Sequence, residues 1–402
     1  MVTISQTQCV TLRRRSPPRP LDAKPSPLTA QAPRSAGTTL RSALEQQQGH
    51  QQQQQQQLQH TPRLRIVWFN ALGFLALHIT AAYGLWIGVV YGRVLSWLWA
   101  ILVGVVSGLG VTIGAHRLYT HRSFRATWGV RLALVTLHTI AGQNCLYIWV
   151  RDHRQHHKYS DTDADPHNAT RGFFFSHIGW LMVRKHPDVI RLGKTIDLTD
   201  LDQDAFVMFQ KKYYKTLYAI FSIMLPVAVP IYAWNEQPWI SLMLCYFTRA
   251  ILTLNITWLV NSWAHLYGTR PYNNRIEPVE SDFVSFLSFG EGWHNYHHSF
   301  PYDYRAAELG QRYDLSTRII EWLARRGWVT DLKAASASSV VSLALAHGDG
   351  SHPVCQPGAG ASKAADAAAD AAPAPQEPAA GKHFVEALPA PGQPPEPGLS
   401  IA

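Results

Sequence analysis

Nine of the chain's nineteen histidines fall in four short windows. "HRLYTH" holds His116 and His121, and "HRQHH" holds His153, His156 and His157. "NSWAH" ends on His265, and "GWHNYHH" supplies His294, His297 and His298. Neutral imidazole binds iron, zinc, copper or nickel. A zinc hydrolase site needs three or four protein ligands, so nine are too many for one ion and suit two ions at about four or five each. Residues three and four apart share a helix face, so His153 points the same way as His156 and His157. The five-residue step from His116 to His121 matches a helix poorly and suits a helix end that lets the second ligand swing back. Two redox-capable ions held mainly by nitrogen point to oxygen chemistry, with the protein holding an inert substrate beside them.

Acidic residues crowd the second window. Asp161, Asp163 and Asp165 could join the ligand set. Asp152, directly before His153, either accepts an imidazole N–H and so orients that ligand, or serves as a helix cap or salt-bridge partner.

The elements that must position these residues are hydrophobic. Residues 66–90, 95–115, 216–234 and 239–260 are each apolar enough to cross a bilayer core, which takes about 20 helical residues. They form two hairpins, whose turns "YGRVLS" and "NEQP" hold only Arg93 as a basic residue. Arg63, Arg65, Arg117, Arg122, Arg125, Lys211, Lys212, Lys215, Arg270 and Arg275 flank the opposite ends. The positive-inside bias then places both termini, and all nine histidines, on the cytosolic side. The formal charge of +9 fits that bias. It does not indicate nucleic-acid binding, because no motif of a nucleic-acid fold accompanies it. Inside the spans, His78 reads as a helix-pairing residue, and Arg249 requires an acceptor such as a helix-end carbonyl. The expected fold is all-α: an integral membrane protein with four transmembrane helices and a cytosolic helical cap that carries the histidines.

Residues 1–61 form a basic, Gln-rich tail, residues 62–330 the membrane domain, and residues 331–402 an Ala/Pro-rich tail. Neither tail carries enough apolar surface to offset chain entropy. The glutamine run is either a variable insert or a protein-association segment. The four cysteines lack CxxC spacing, so no thiolate metal site or disulfide framework is expected.

Taken together, "GAHRLYTHRSF", "WVRDHRQHHKYSDTDADPHNATRGFFFSHIGWLMVRKHP", "LVNSWAHLYGTRPY" and "GEGWHNYHHSFPYDYRAAELG" resemble the membrane fatty acyl-CoA desaturases of the stearoyl-CoA (delta-9) type. The resemblance implies a di-iron centre, insertion of a cis double bond into a saturated acyl-CoA, and reduction of molecular oxygen to water. It also implies electrons from cytochrome b5 and NADH-cytochrome b5 reductase, and an endoplasmic reticulum membrane. It makes His116, His121, His153, His156, His157, His265, His294, His297 and His298 the iron ligands. Asn261 would reach one iron through a water; from the residues alone it is equally a C-cap where the fourth span ends. The same resemblance assigns Asn144, Arg151, Arg184 and Lys185 to the coenzyme A headgroup. It assigns Gln143, Trp149, Thr257 and Trp258 to the acyl tunnel. Without it, the basic residues read as interfacial anchors and the tryptophans as interface packing.

The chain departs from the pattern in three places. His347, His352 and His383 do not form a haem-ligand "HPGG" motif, so a separate cytochrome b5 is expected. Gly104, with Gly108 one turn on, stands where animal relatives carry a bulky tunnel-closing residue; these glycines either lengthen the tunnel or allow close helix packing. The first 45 residues, rich in Arg, Ser and Pro, resemble an organellar transit segment. That leaves a plastid acyl-lipid desaturase drawing on ferredoxin as the alternative. A hydroxylase would leave a hydroxyl on its product. A metal transporter would need ligands at the bilayer midplane, which these spans hardly offer.

Overall fold

A computed structural model describes residues 65–309 and 313–356. The N-terminal tail with its glutamine run, and residues 357–402, lie outside the described residues. Among the described residues, four helices are long and apolar enough to cross a bilayer: Trp68–Tyr91, Val94–Thr120, Ala205–Trp234 and Pro238–Leu266. The all-helical expectation holds, the described residues adding one two-residue antiparallel pair, Arg125–Ala126 against Val329–Thr330, and isolated bridges such as Thr269 to Glu280. The spans show many exposed large apolar residues, Phe69 at 88% and Val94 at 73% among them. In water such a surface would drive aggregation; a bilayer accepts it.

The helices run further than their apolar stretches. The second continues to Thr120 and carries His116, and the fourth continues to Leu266 and carries Asn261 and His265. The third begins at Ala205, eleven residues before the apolar run, with a kink at Tyr213. Hydropathy marks where the membrane ends, whereas the helix persists wherever the cap offers a face to pack on.

The two hairpin turns are tied together. The buried Glu236 accepts hydrogen bonds from Arg93 N (2.8 Å), Ser96 Oγ (2.6 Å) and Gln237 N (3.0 Å). Trp234 Nε1 adds a bond to Ser96 Oγ. A buried carboxylate with three donors is satisfied without a cation.

Three spans contain wide turns with i→i+5 winding: Gly110–Thr120, Ala219–Met224 and Leu242–Thr248. Such winding displaces carbonyls from their usual partners. Arg249 collects two of them, Cys245 O at 2.9 Å and Ser222 O at 2.9 Å, and adds Ile140 O at 3.2 Å from the last turn of helix Trp128–Ala141. The expected acceptor for this intramembrane arginine is therefore backbone carbonyl. His78 bridges helices as expected, accepting from Asn255 Nδ2 at 3.2 Å and contacting Phe74 O at 2.7 Å. Asn255 Nδ2 also has Ile251 O, so His78→Ala is expected to leave turnover within about twofold and cost about 1 kcal/mol of stability. Turnover and thermal denaturation of the variant check this.

The C-terminal boundary is a correction. The low-complexity tail was expected from residue 331, yet Ala337–His347 is a helix. Val340 and Ala344, one turn apart, pack on Tyr272, Tyr296 and Phe300. The small apolar face was concealed by an Ala/Ser-rich composition. His352, buried, pairs with Glu308 at 3.0 Å.

Candidate metal centre

Two clusters of imidazole nitrogens form where the spans meet the cap. His116, His121, His153, His157 and His297 make one, and His156, His265, His294 and His298 the other. Within each, the ligand atoms all lie within 4.8 Å of one another. The division into five and four follows from helix geometry. On helix Leu146–Tyr159, His153 and His157 are one full turn apart and serve the first cluster, while His156 turns to the second. Helix His294–Ser299 reverses the arrangement, with His294 and His298 in the second cluster and His297 in the first.

The His116/His121 step is resolved by the wide winding of Gly110–Thr120. His121 N donates to His116 O at 3.1 Å, an i→i+5 bond, and Thr120 Oγ1 donates to Ala115 O. This winding places residues five apart on one face, and the helix ends at Thr120 with His121 as its C-cap, the helix end that the five-residue step suits.

The residues between ligands fix the last box. Asn295 Oδ1 accepts from Tyr272 N and Asn273 N, and its Nδ2 donates to Asn273 O and Pro278 O. Tyr296 donates its hydroxyl to Asp303 at 2.8 Å and its N–H to Glu280 at 2.7 Å. Burial pushes the Glu280 carboxyl up to about 8. Gly290 adopts φ 110°, and a Cβ on Gly292 would stand 2.3 Å from Ser285 N. Only glycine allows both turns, which set Glu291 between them.

The donor set fits bound metal. Nε2 atoms face each other across each cluster: His116 to His297 at 3.0 Å, His297 to His157 at 3.0 Å, His156 to His298 at 3.3 Å and His298 to His294 at 3.1 Å. Nitrogens about 2.1 Å from one ion and at right angles stand about 3 Å apart. His121, His153 and His265 each bury an Nε2 without a hydrogen-bond partner. Burial, followed by the neighbouring imidazoles, holds His121, His153, His157, His294, His297 and His298 far below the usual histidine range. They are neutral, with lone pairs available to a metal.

Carboxylates hold the far ring nitrogens. Asp165 lies 2.8 Å from His156 Nδ1, Asp161 3.0 Å from His265 Nδ1, and Glu291 2.8 Å from His116 Nδ1. Such partners fix ring orientation and raise ligand basicity. Burial raises the Asp165 carboxyl, but His156 and His167 outweigh it and bring it below the usual carboxylate range. Asp165 also lies 3.5 Å from the buried His167, which shares it with His156 and so belongs to the same centre. Asp161 and Asp165 thus support ligands. Asp152 does not support His153: it accepts from Arg151 at 2.6 Å and Lys185 at 3.1 Å, because it projects from a different side of the helix. Its salt-bridge alternative is the one observed. Glu291 and His167 were missed; an acid three residues before a box histidine in "GEGWHNYHH" was the available signal.

Below the clusters, a cavity of about 270 Å³ runs between the second and fourth spans. His116, His153 and His294 line its upper end, with Asn261 and Glu291. Asn261 lies inside helix Arg249–Leu266, which rules out the C-cap reading. Gln143, Trp149 and Thr257 also line it, and Gln143 Nε2 donates to Thr257 Oγ1 at 2.8 Å. Trp258 is not on this wall. It packs on Phe74, His78 and His177, on another side of the fourth span. Gly104 and Gly108 line the cavity, but differ. A Cβ on Gly104 would make ordinary contact with Thr253 at 3.6 Å, whereas one on Gly108 would press on Phe289 at 3.0 Å. Gly108 therefore serves close packing, and Gly104 leaves room.

Arg151 and Lys185 line a separate cleft with Tyr147, Asp152 and Lys194. Tyr147 and Arg151 face this cleft while Trp149 and His153, on the same helix, face the cavity. Asn144 and Arg184 are not among the residues lining it. Asn144 Oδ1 accepts from Cys145 N at φ 77°, and Arg184 is exposed with its N–H bonded to Arg65 O.

Residues 92–314 match the family model described as fatty acid desaturase. An acyl-CoA Delta-9 desaturase of Acheta domesticus is 48% identical over 320 residues, covering 79% of this chain and 89% of that protein. A stearoyl-CoA desaturase of Homo sapiens is 46% identical over 292 residues, 73% of this chain and 81% of the relative. An acyl-CoA Delta12-desaturase of Acheta domesticus is 45% identical over 299 residues, 74% and 84% respectively. Both the two-cluster geometry and these matches lead to one assignment: the chain belongs to the fatty acid desaturase family.

Proposed function

We infer that the protein is an acyl-CoA desaturase that inserts a cis double bond into a saturated fatty acyl-CoA while molecular oxygen is reduced to water. The observation that carries this reading is the apolar cavity ending on histidines of both ligand clusters, a seat for a chain of methylenes beside two metals. The metals are iron, which a nitrogen donor set without thiolate accommodates and which the redox reaction requires. When bound, the two irons supply the oxygen activation that removes two hydrogens from neighbouring carbons. The protein's part is positional. Asp161, Asp165 and Glu291 orient three of the imidazoles, and the apolar cavity wall keeps water from the reacting carbons.

Arg151 and Lys185 hold the phosphates of the coenzyme A headgroup, with Asn144 and Arg184 at the margin of that surface. Asn261, which lines the cavity beside His116 and His294, would help hold one iron through a water. The remaining two electrons come from cytochrome b5 and NADH-cytochrome b5 reductase. The double bond forms at the ninth carbon, a position supported by the Delta-9 name of the cricket relative; its Delta-12 counterpart at similar identity makes the position worth measuring. The membrane is the endoplasmic reticulum, with both termini cytosolic.

Expression in a desaturase-deficient host, followed by mass-spectrometric location of double bonds in the lipids, tests this. A cis bond at the ninth carbon is expected, and a hydroxylated product would overturn it. A tagged full-length protein should mark the endoplasmic reticulum. Import into a plastid with cleavage near residue 45 would favour glycerolipid substrates and ferredoxin instead.

A further inference from the structure

The acyl cavity does not stop at Gly104. Its lining continues to Ile101, Ala100 and Trp97 on the second span and to Leu244 on the fourth. Trp97, Ala100, Gly104 and Gly108 lie at steps of three and four along the straight helix Val94–Leu109, so they share the face turned to the cavity. Trp97 is the first aromatic side chain below Gly104 among the lining residues of that span, about 10 Å deeper at 1.5 Å per residue.

The indole is also fixed. Its Nε1 donates to Gly88 O at 3.0 Å. Gly88 is a notch for it, since a Cβ there would stand 3.1 Å from Trp97 Cζ2 and 3.2 Å from Leu244 Cδ1. Ala100 and Leu244, both buried, complete the base. Directly beside it in the chain, Ser96 bonds to Glu236 and Trp234 and holds the hairpin ends.

We propose that Trp97 is the floor of the acyl cavity and that the protein accepts very-long-chain saturated acyl-CoAs, to about twenty-two carbons. The proposal rests on the desaturase reading and adds its substrate class. His116 and Trp97 are separated by about 26 Å along the helix, the wide winding of Gly110–Thr120 shortening it slightly. Subtracting about 5 Å at each end for imidazole and indole leaves roughly 16 Å, room for ~13 methylenes in extended form. An eighteen-carbon chain has nine carbons beyond a double bond at the ninth, so the cavity holds about four more. Ile101 and Leu252, which line the same cavity, are 58% and 51% exposed, so the side wall toward the lipid is one residue thick.

The test uses the full chain in membranes of a desaturase-deficient host, assayed separately with saturated acyl-CoAs of sixteen to twenty-six carbons. The unaltered protein should convert the twenty-two-carbon substrate within about threefold of the eighteen-carbon one, since each added methylene is still buried. Ala100→Phe, which fills the space above the floor, should lower the ratio of twenty-two- to sixteen-carbon turnover by about tenfold or more. Trp97→Ala should raise the ratio of twenty-six- to eighteen-carbon turnover. Conversion that ends at eighteen carbons in the unaltered protein would overturn the proposal. So would a twenty-two- to sixteen-carbon ratio unmoved by Ala100→Phe, which would mean that the tail leaves sideways between Ile101 and Leu252. If Trp97→Ala does not accumulate, Ala100→Phe decides. No conversion at any length would overturn the desaturase reading itself, and the floor with it.

Discussion

Replacing His298 with alanine is expected to abolish desaturation while the protein remains in the membrane. His298 Nε2 lies 3.1 Å from His294 Nε2 and 3.3 Å from His156 Nε2, at the centre of the four-histidine cluster. Three ligands would remain, and water would take the open position, a coordination typical of hydrolytic metal sites. His157→Ala should have the same consequence from the five-histidine cluster, where His157 faces His297 at 3.0 Å. Turnover should fall by at least about a thousandfold in either variant, with loss of one metal per chain. A fully active His298→Ala protein would remove that residue from the ligand set.

The next largest effect is expected at Glu291, a residue that the spacing of histidines did not reveal. One of its oxygens lies 2.8 Å from His116 Nδ1, and the other accepts from Arg117 Nε at 3.1 Å and Nη2 at 3.0 Å. Burial raises its carboxyl, yet Arg117 and then His116 outweigh burial and bring it below the ordinary glutamate range. Glu291→Gln keeps the volume but removes the charge. Arg117, fully buried, would then rely on Asp314, Thr317 Oγ1 and Tyr304 O. The variant should lose about 3 kcal/mol of stability, the lower end for a broken buried pair because Asp314 remains. Its turnover and metal affinity should fall about 10- to 100-fold through the misoriented His116. Glu291→Asp, which keeps the charge, should recover part of both. Thermal denaturation and metal content measured on the same samples separate the two effects; a Gln variant with native metal content and turnover would show that His116 needs no such partner.

These two sites mark what the sequence discloses and what it withholds. The nine clustered histidines were legible because imidazole is rare in apolar segments and because helical steps of three and four declare a shared face. Their division into two clusters is a correction: the shared direction expected of His153, His156 and His157 holds for His153 and His157, one full turn apart, whereas His156 turns to the other cluster. Asp165 and His156 are nine residues apart, Asp161 and His265 are 104, and Arg117 and Glu291 are 174. Such pairings are set by tertiary packing, which local spacing does not encode. Adjacency misled at Asp152, since neighbouring residues on a helix point about 100° apart. Trp258 shows the same limit: it precedes His265 by seven residues, but its indole packs toward the first span. The four spans were clear from hydropathy, whereas their extensions to Thr120 and Leu266 depend on the cap they enter. The wide turn at Gly110–Thr120 could not be read from periodicity, although the five-residue histidine step required some departure from ordinary winding.

Two redox metals on this membrane face are expected, and metal content decides it. Protein purified without chelator from a host supplied with both iron and zinc should contain two irons per chain by elemental analysis. His298→Ala should retain about one, from the untouched five-histidine cluster. A single zinc per chain, unchanged in His298→Ala, would contradict the account.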